Sequence, residues 1–222
     1  MRFLLGLISF ICFVFISACT PSRLVTPLLQ DEVSLTTNFG GPLIGFADTV
    51  IPIPLSAVTI AKGVENDLSI YTGLHTTALS YGLIHWDVGL LKQLSTPKKL
   101  RPGLSVSPSF NFMLDVWQQK PAFYPSLDIN LYWFYPKSGN MSYIGSGNWF
   151  ELKRTRAYDE PQSNFWITSV HAGHTWIWPR WKLNSEIKFL APFDNSEYSI
   201  VDYKSPSQNG AIGFYVSATY DF

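Results

Sequence analysis

From Glu32 onward, apolar and polar residues alternate along the chain with a period of two, broken at short intervals by turn residues. The alternation is sharpest in five places. Leu104, Val106, Phe110, Phe112 and Leu114 share one parity, against Ser105, Ser107, Ser109, Asn111 and Asp115. Leu127, Ile129, Leu131, Trp133 and Tyr135 oppose Ser126, Asp128, Asn130 and Tyr132, while Ile84, Trp86, Val88 and Leu90 oppose His85, Asp87 and Gly89. Trp181, Leu183, Ile187, Phe189 and Ala191 oppose Lys182, Asn184, Glu186 and Lys188. In the final stretch, Ile212, Phe214, Val216, Ala218, Tyr220 and Phe222 oppose Gly213, Tyr215, Ser217, Thr219 and Asp221. Successive side chains of a strand point to opposite faces, so each segment has one greasy face and one wet face. The pattern predicts ten strands, at about 33–46, 51–63, 68–79, 83–94, 103–116, 123–135, 141–153, 164–178, 181–192 and 211–222. No helical period of useful length competes with it.

Alternation by itself fits a soluble sandwich as well as a membrane barrel. Length separates them, because strands of about twelve residues exceed the five or six usual in soluble sheets and match a tilted crossing of a bilayer. Trp133, Tyr135, Trp176, Trp178, Trp181 and Tyr220 fall near strand ends, where aromatic girdles sit at membrane interfaces. The expected fold is all-β, an antiparallel up-and-down transmembrane β-barrel of about ten strands, with eight or twelve as alternatives. The last strand, ending on Tyr220-Asp221-Phe222, resembles the closing strand of bacterial outer-membrane β-barrels. That resemblance implies an assembly signal at Tyr220 and Phe222 and, as a partner, the barrel assembly machinery.

The amino terminus is processing chemistry. Arg2 precedes an apolar run from Phe3 to Ile16, interrupted by Ser9 and too short to span a membrane comfortably. It leads into Ile16-Ser17-Ala18-Cys19, which resembles the lipobox of bacterial lipoproteins. The resemblance implies cleavage before Cys19, diacylation of its thiol and acylation of the new amino group. Thr20, rather than Asp, follows Cys19. In the enterobacterial sorting rule this implies export to the outer membrane. The expected parts are a signal peptide over 1–18, a lipidated tether over 19–31 and the barrel over 32–222. Residues 20–31, with two prolines and little pattern, read as tether and nothing more.

Composition narrows the class. The two cysteines are Cys12, lost with the leader, and Cys19, which carries lipid, so no disulfide is available. Charged residues make up 14% of the chain, against roughly 25% in a soluble domain, and aromatics make up 16%. Sixteen basic against sixteen acidic residues leave no excess that points to nucleic acid. The expected surroundings are outer-membrane lipids, with no cofactor beyond the lipid on Cys19 and no metal.

Loop lengths orient the barrel. An even strand number puts both termini in the periplasm, with short turns there and long loops outside. The connections 64–67, 136–140 and 179–180 are short, and the two longest, 154–163 and 193–210, fall on the outer side. Residues 95–102 are the exception, long for a periplasmic turn. A periplasmic amino terminus places the Cys19 lipid in the inner leaflet of the outer membrane.

Candidate chemistry is sparse. If Ser80-Tyr81-Gly82 forms a three-residue hairpin loop with Gly82 at positive φ, His75 pairs with Asp87 and Thr77 with His85. His75, His85 and Asp87 then share the inward face, provided Ile84, Trp86 and Val88 meet lipid. Two imidazoles and a carboxylate suit metal binding or acid–base work, yet a narrow lumen needs such a polar filling in any case. The filling is the leading reading. Lys182, Glu186 and Lys188, with Glu151 and Lys153, are expected to form lumenal ion pairs. His171 and His174, three apart on a strand, point to opposite faces. No P-loop, GxSxG, CxxC or HExxH pattern is present. The paired-Asp pattern of omptin proteases is also missing. His75-Thr76-Thr77 and His171-Ala172-Gly173 each lack the Ser that lipid A deacylases require.

These observations describe a lipid-anchored outer-membrane barrel with a non-catalytic structural, surface-interaction or narrow-channel role. Two alternatives stay open. One is a lipid-modifying or hydrolytic barrel enzyme using His75, His85 and Asp87. The other is a tethered periplasmic barrel with its aromatic face turned inward around an apolar ligand.

Overall fold

The computed structural model describes residues 24–98, 101–154, 164–195 and 201–222. The alternating segments form β1 (Val33–Phe46), β2 (Thr49–Pro52), β3 (Leu55–Glu65), β4 (Leu68–Leu74), β5 (Leu83–Ser95) and β6 (Gly103–Asp115). They continue through β7 (Lys120–Phe134), β8 (Met141–Phe150), β9 (Trp166–Ile177), β10 (Trp181–Asn195) and β11 (Asn209–Asp221). Each wall strand pairs antiparallel with its neighbours in chain order, and β11 returns to pair with β1. That seam runs from Ser34 opposite Asp221 to Pro42 opposite Gly213. It leaves the barrel wall with no open edge among the described residues. Ten strands make the wall, because β2 pairs only with Leu43–Phe46, at the end of β1 away from the termini, and forms a hairpin rising from it.

The barrel is inverted relative to a soluble protein. Ser34, Thr36, Asn38, Asn111, Asn130 and Glu186 are buried inside it. Phe39, Ile60, Ile70, Phe110, Ile144 and Ile187 stand exposed on the outer wall. A barrel that holds an apolar ligand needs the reverse, so the orientation of the wall rules out that alternative. Exposed rings gather at both ends of this apolar band. Tyr135, Trp176, Trp178 and Trp181 lie at the end carrying the termini, and Trp86, Trp117 and Trp166 lie at the opposite end. Tyr220 meets Trp181 edge-on with ring centroids 5.0 Å apart, and Phe222 extends the same row.

The strand expected over 51–63 is split into β2 and β3, and two further departures from the sequence expectation close the lumen. Residues 68–79 do not form one strand. β4 stops at Leu74, and Thr76–Ser80 form a single helical turn, α1. The threonines cause the break: Thr77 accepts from the Ser56 amide at 2.8 Å and donates to the Pro54 carbonyl at 3.0 Å. Thr76 also bonds the Ser56 hydroxyl at 2.8 Å. Such side-chain bonds compete with a strand ladder. Gly82 then stops the helix at φ 73°, the left-handed conformation a helix terminus favours in glycine. Ala78 is therefore buried, although as part of one strand with Ile70 and Leu74 its parity would have turned it outward. It packs with Leu83, Met113, Tyr124 and Trp149 as an apolar cap over the far mouth.

The second departure is at the amino terminus. The described part of the expected tether, Leu24–Asp31, is folded into the near mouth. Val25 packs against Tyr132, Met141 and Tyr143 on one side of the lumen, and Leu28 packs against Ala61 and Tyr71 on the other. Backbone bonds fix it there: Ser105 donates to the Val25 carbonyl at 2.6 Å, and the Leu28 amide donates to Ser69 at 2.8 Å. The Asp31 amide donates to the Gly63 carbonyl, and the Gly63 amide to the Glu32 carbonyl. Gly63 is required at this point, since a Cβ there would collide with the Leu29 carbonyl. The expected signal peptide and Cys19 lie outside the described residues, as do 155–163 and 196–200, on which the expected long outer loops fall.

The short near-end turn before β4 carries a small pH dependence. Lys92 Nζ lies 2.8 Å from Asp67 Oδ1 and 3.7 Å from Glu65 Oε2. The hydrogen bond from Lys92 holds the Asp67 carboxyl below its ordinary 3.8. A depressed folded value gives stability that is present above the unfolded value and is lost as pH falls through the folded one. Asp67→Asn is thus expected to unfold at slightly lower denaturant than the native chain from about pH 5 upward, with the difference closing as pH falls through the lowered Asp67 value. Denaturant midpoints across that pH range check this.

Candidate functional site

The polar interior between the two apolar caps divides into two networks. The first is built by β4, β5 and β6 directly beneath α1. β5 alternates strictly, so His85 and Asp87 point inward while Ile84, Trp86 and Val88 point out. His75 follows β4, and its amide donates to the His85 carbonyl at 3.0 Å. The expected pairing of His75 with Asp87 is shifted. Gly73 stands opposite Asp87 and Leu74 opposite Trp86, because α1 consumes the residues that a tight hairpin would have spared. The shift is two residues, so the inward parity of all three side chains is unchanged.

The three groups are close and dry. His75 Nε2 lies 3.0 Å from Asp87 Oδ2, with side-chain exposures of 7% and 0%. The His75 and His85 rings stack with centroids 3.5 Å apart and planes 3° from parallel. One nitrogen or oxygen from each of His75, His85 and Asp87 lies within 4.8 Å of the others. Asn111 orients the second ring: its amide nitrogen donates to Ser126 Oγ at 3.1 Å and to the Tyr124 carbonyl at 3.4 Å. Its oxygen therefore faces His85 Nε2, 3.2 Å away, and accepts a hydrogen from it. Ser109 and Ser126 complete the chain at 2.6 Å.

The second network lies across β7 to β11. Tyr143 donates to Glu186 Oε2 at 2.9 Å, and Glu186 Oε1 lies 3.5 Å from Lys188 Nζ. Lys188 also sits 5.9 Å from the centre of the Tyr215 ring. His171 Nε2 is 2.7 Å from Asn130 Oδ1, and its ring meets Tyr143 edge-on. Thr175 donates to Asn184 at 3.1 Å. Both networks hold polar groups that a lumen must satisfy once water is excluded.

No family model matches the chain, and no curated protein matches it. Among solved structures, the outer membrane protein OprG from Pseudomonas aeruginosa is 10% identical, with 90% of this chain and 99% of that one covered and a TM-score of 0.33. Ail, the attachment invasion locus protein of Yersinia pestis, is 8% identical, with 87% and 100% covered and a TM-score of 0.30. The translocator domain of the autotransporter NalP from Neisseria meningitidis is 9% identical, with 88% and 89% covered and a TM-score of 0.33. The barrel itself stands on the β1–β11 seam.

The remaining sequence candidates are placed as follows. Glu186 and Lys188 pair inside the lumen. Lys182 does not join them: it pairs with Asp221 at 2.7 Å, near the mouth. Two steps along β10 carry Lys182 toward the end of the barrel, where the last inward residue of β11 waits. Glu151 and Lys153 are not lumenal either. β8 ends at Phe150, and beyond it the Lys153 amide donates to Glu151 Oε1 at 2.9 Å. Burial beside the far mouth raises the Glu151 carboxyl above its ordinary 4.5. His174 faces outward, with Ser142 2.8 Å from its Nδ1 and Trp176 edge-on to its ring. Sequence reasoning missed Thr59, Asn111 and Tyr143 as neighbours of these groups. The inward parity of Asn111 was legible, but which groups it meets depends on the register between strands.

Proposed function

We propose that this chain is an integral β-barrel of the bacterial outer membrane, anchored by lipid on Cys19, with a non-catalytic structural or surface-interaction role. The observation that carries it is the inverted burial: an unbroken apolar outer wall bounded by aromatic rings, around a lumen of buried Ser, Thr, Asn and paired charges. Only a surrounding of hydrocarbon stabilises such a wall. Short near-end turns and the two long far-end loops support periplasmic termini, with contact surfaces at 154–163 and 193–210 outside. Partners are outer-membrane lipids and, during insertion, the barrel assembly machinery. The apolar caps at both mouths favour a closed lumen over a narrow channel. An enzyme acting on membrane lipid needs its reactive groups within reach of the lipid, whereas His75 and Asp87 are sealed inside.

Heat-dependent gel migration of the sarkosyl-insoluble fraction tests the barrel reading. The expected result is a band that moves on boiling and stays with the outer membrane; a soluble, heat-indifferent protein would overturn it. The closed lumen makes a second prediction. Gly63→Val sets a side chain against the Leu29 carbonyl and displaces Leu24–Asp31 from the near mouth. In planar bilayers the native protein is expected to be silent. The variant should conduct in brief steps, and equal currents from both would contradict plugging.

A further inference from the structure

We propose that His75, His85 and Asp87 form a binding site for one borderline divalent transition-metal cation, of the zinc class, beneath α1. The inference needs the closed barrel but not its membrane role. Two imidazoles and a carboxylate are the donors such ions prefer, and here one atom from each lies within 4.8 Å of the others, all three residues buried. His75 Nε2 and Asp87 Oδ2, 3.0 Å apart, are nearly at the spacing of two ligands around one ion with bonds of about 2.0–2.2 Å. An ion there replaces the proton they share, which leaves to solvent as it binds.

Two independent features separate this cluster from ordinary polar filling. The first is the support behind His85. Asn111 takes the hydrogen of His85 Nε2, and its own amide is held by Ser126 and Tyr124. That arrangement fixes the tautomer and the orientation of the His85 ring, as outer-shell partners of metal-bound histidines do. The second is a gap at Gly73. A Cβ at this position would lie 3.0 Å from Thr59 Oγ1 and 3.1 Å from Asp87 Oδ2. Thr59 Oγ1 is buried and has no hydrogen-bond partner among the described residues. A buried hydroxyl without a partner, facing a carboxylate across a space that only glycine leaves open, fits a further oxygen ligand or a metal-bound water. The parallel rings must hinge apart for both nitrogens to reach one ion, a rotation about side-chain bonds that leaves the ladder intact.

The test uses the full folded barrel in detergent, stripped with chelator and titrated with Zn²⁺, then with Co²⁺ as a spectroscopic probe. One equivalent of Zn²⁺ is expected, and Co²⁺ should give a visible ligand-field band. His85→Ala and Asp87→Asn should weaken Zn²⁺ binding at least tenfold and remove the band, with heat-dependent migration reporting that the barrel still folds. His174→Ala, on the outer wall, should change neither. Gly73→Ala keeps all three donors but fills the gap beside Asp87, and should also weaken binding at least tenfold. Substoichiometric Zn²⁺ in the native protein, or native affinity in Asp87→Asn or Gly73→Ala, would overturn the site. Loss of the heat shift in the outer-membrane fraction with Zn²⁺ binding retained would sink the membrane reading and leave this one standing.

Discussion

Glu186→Gln is expected to cost about 3–5 kcal/mol, the loss seen when one member of a buried ion pair is removed and the other charge stays behind. Glu186 is 1% exposed and Lys188 4% exposed, and their side chains approach to 3.5 Å. Gln keeps the shape and still accepts from Tyr143, so the change isolates the charge. The measurement is the denaturant midpoint of the folded barrel at unchanged slope, which separates lost stability from altered compactness. Replacing Lys188 by Met in the same background should recover much of the loss, because both charges are then gone. A single variant that unfolds at the native midpoint would show that the pair contributes nothing to stability.

The neighbouring residue gives the second large effect, for the opposite reason. Ile187 is 57% exposed and lies on the outer wall, within the stretch of β10 paired to β11. Ile187→Arg places a cation in the hydrocarbon band, at a cost of about 2–4 kcal/mol near the bilayer midplane. The same change in a soluble barrel would fall within about 0.5 kcal/mol, since exposed substitutions away from special sites do little. Folding the variant into lipid vesicles and comparing midpoints decides the matter. A loss below about 0.5 kcal/mol would mean that this face meets water.

That two adjacent residues answer to opposite environments is the part of the fold most legible in the sequence. Alternation assigned Glu186 and Ile187, or Asp87 and Val88, to opposite faces without reference to any partner. The wall strands follow from it, since a period of two together with turn residues leaves little freedom. Pairing was less legible, because register depends on how many residues each connection consumes. Lys182 meets Asp221 rather than Glu186 because register and stagger at the β10–β11 seam place those two side chains at one level. α1 was hidden for a related reason. Leu74, Thr76 and Ala78 continue the alternation in letters, while the bonds from Thr76 and Thr77 to Ser56 that break it are long-range. Of the candidate site, the inward parity of His75, His85 and Asp87 could be read from the chain. Their mutual approach, the Asn111 support and the gap at Gly73 are properties of three strands in register.

The occupied near mouth also sets a length of leash. Only five peptide steps separate Cys19 from Leu24, which begins the segment lodged among the inner side chains. Fully extended, five residues reach about 18 Å at ~3.5 Å each. If Cys19 carries the lipid proposed above, its acyl chains are confined to the lipid beside their own barrel, and the segment cannot be drawn out far without pulling them along the wall. On that proposal the anchor would act as a depth stop, setting how far the barrel can shift along the membrane normal before lipid or plug has to give way.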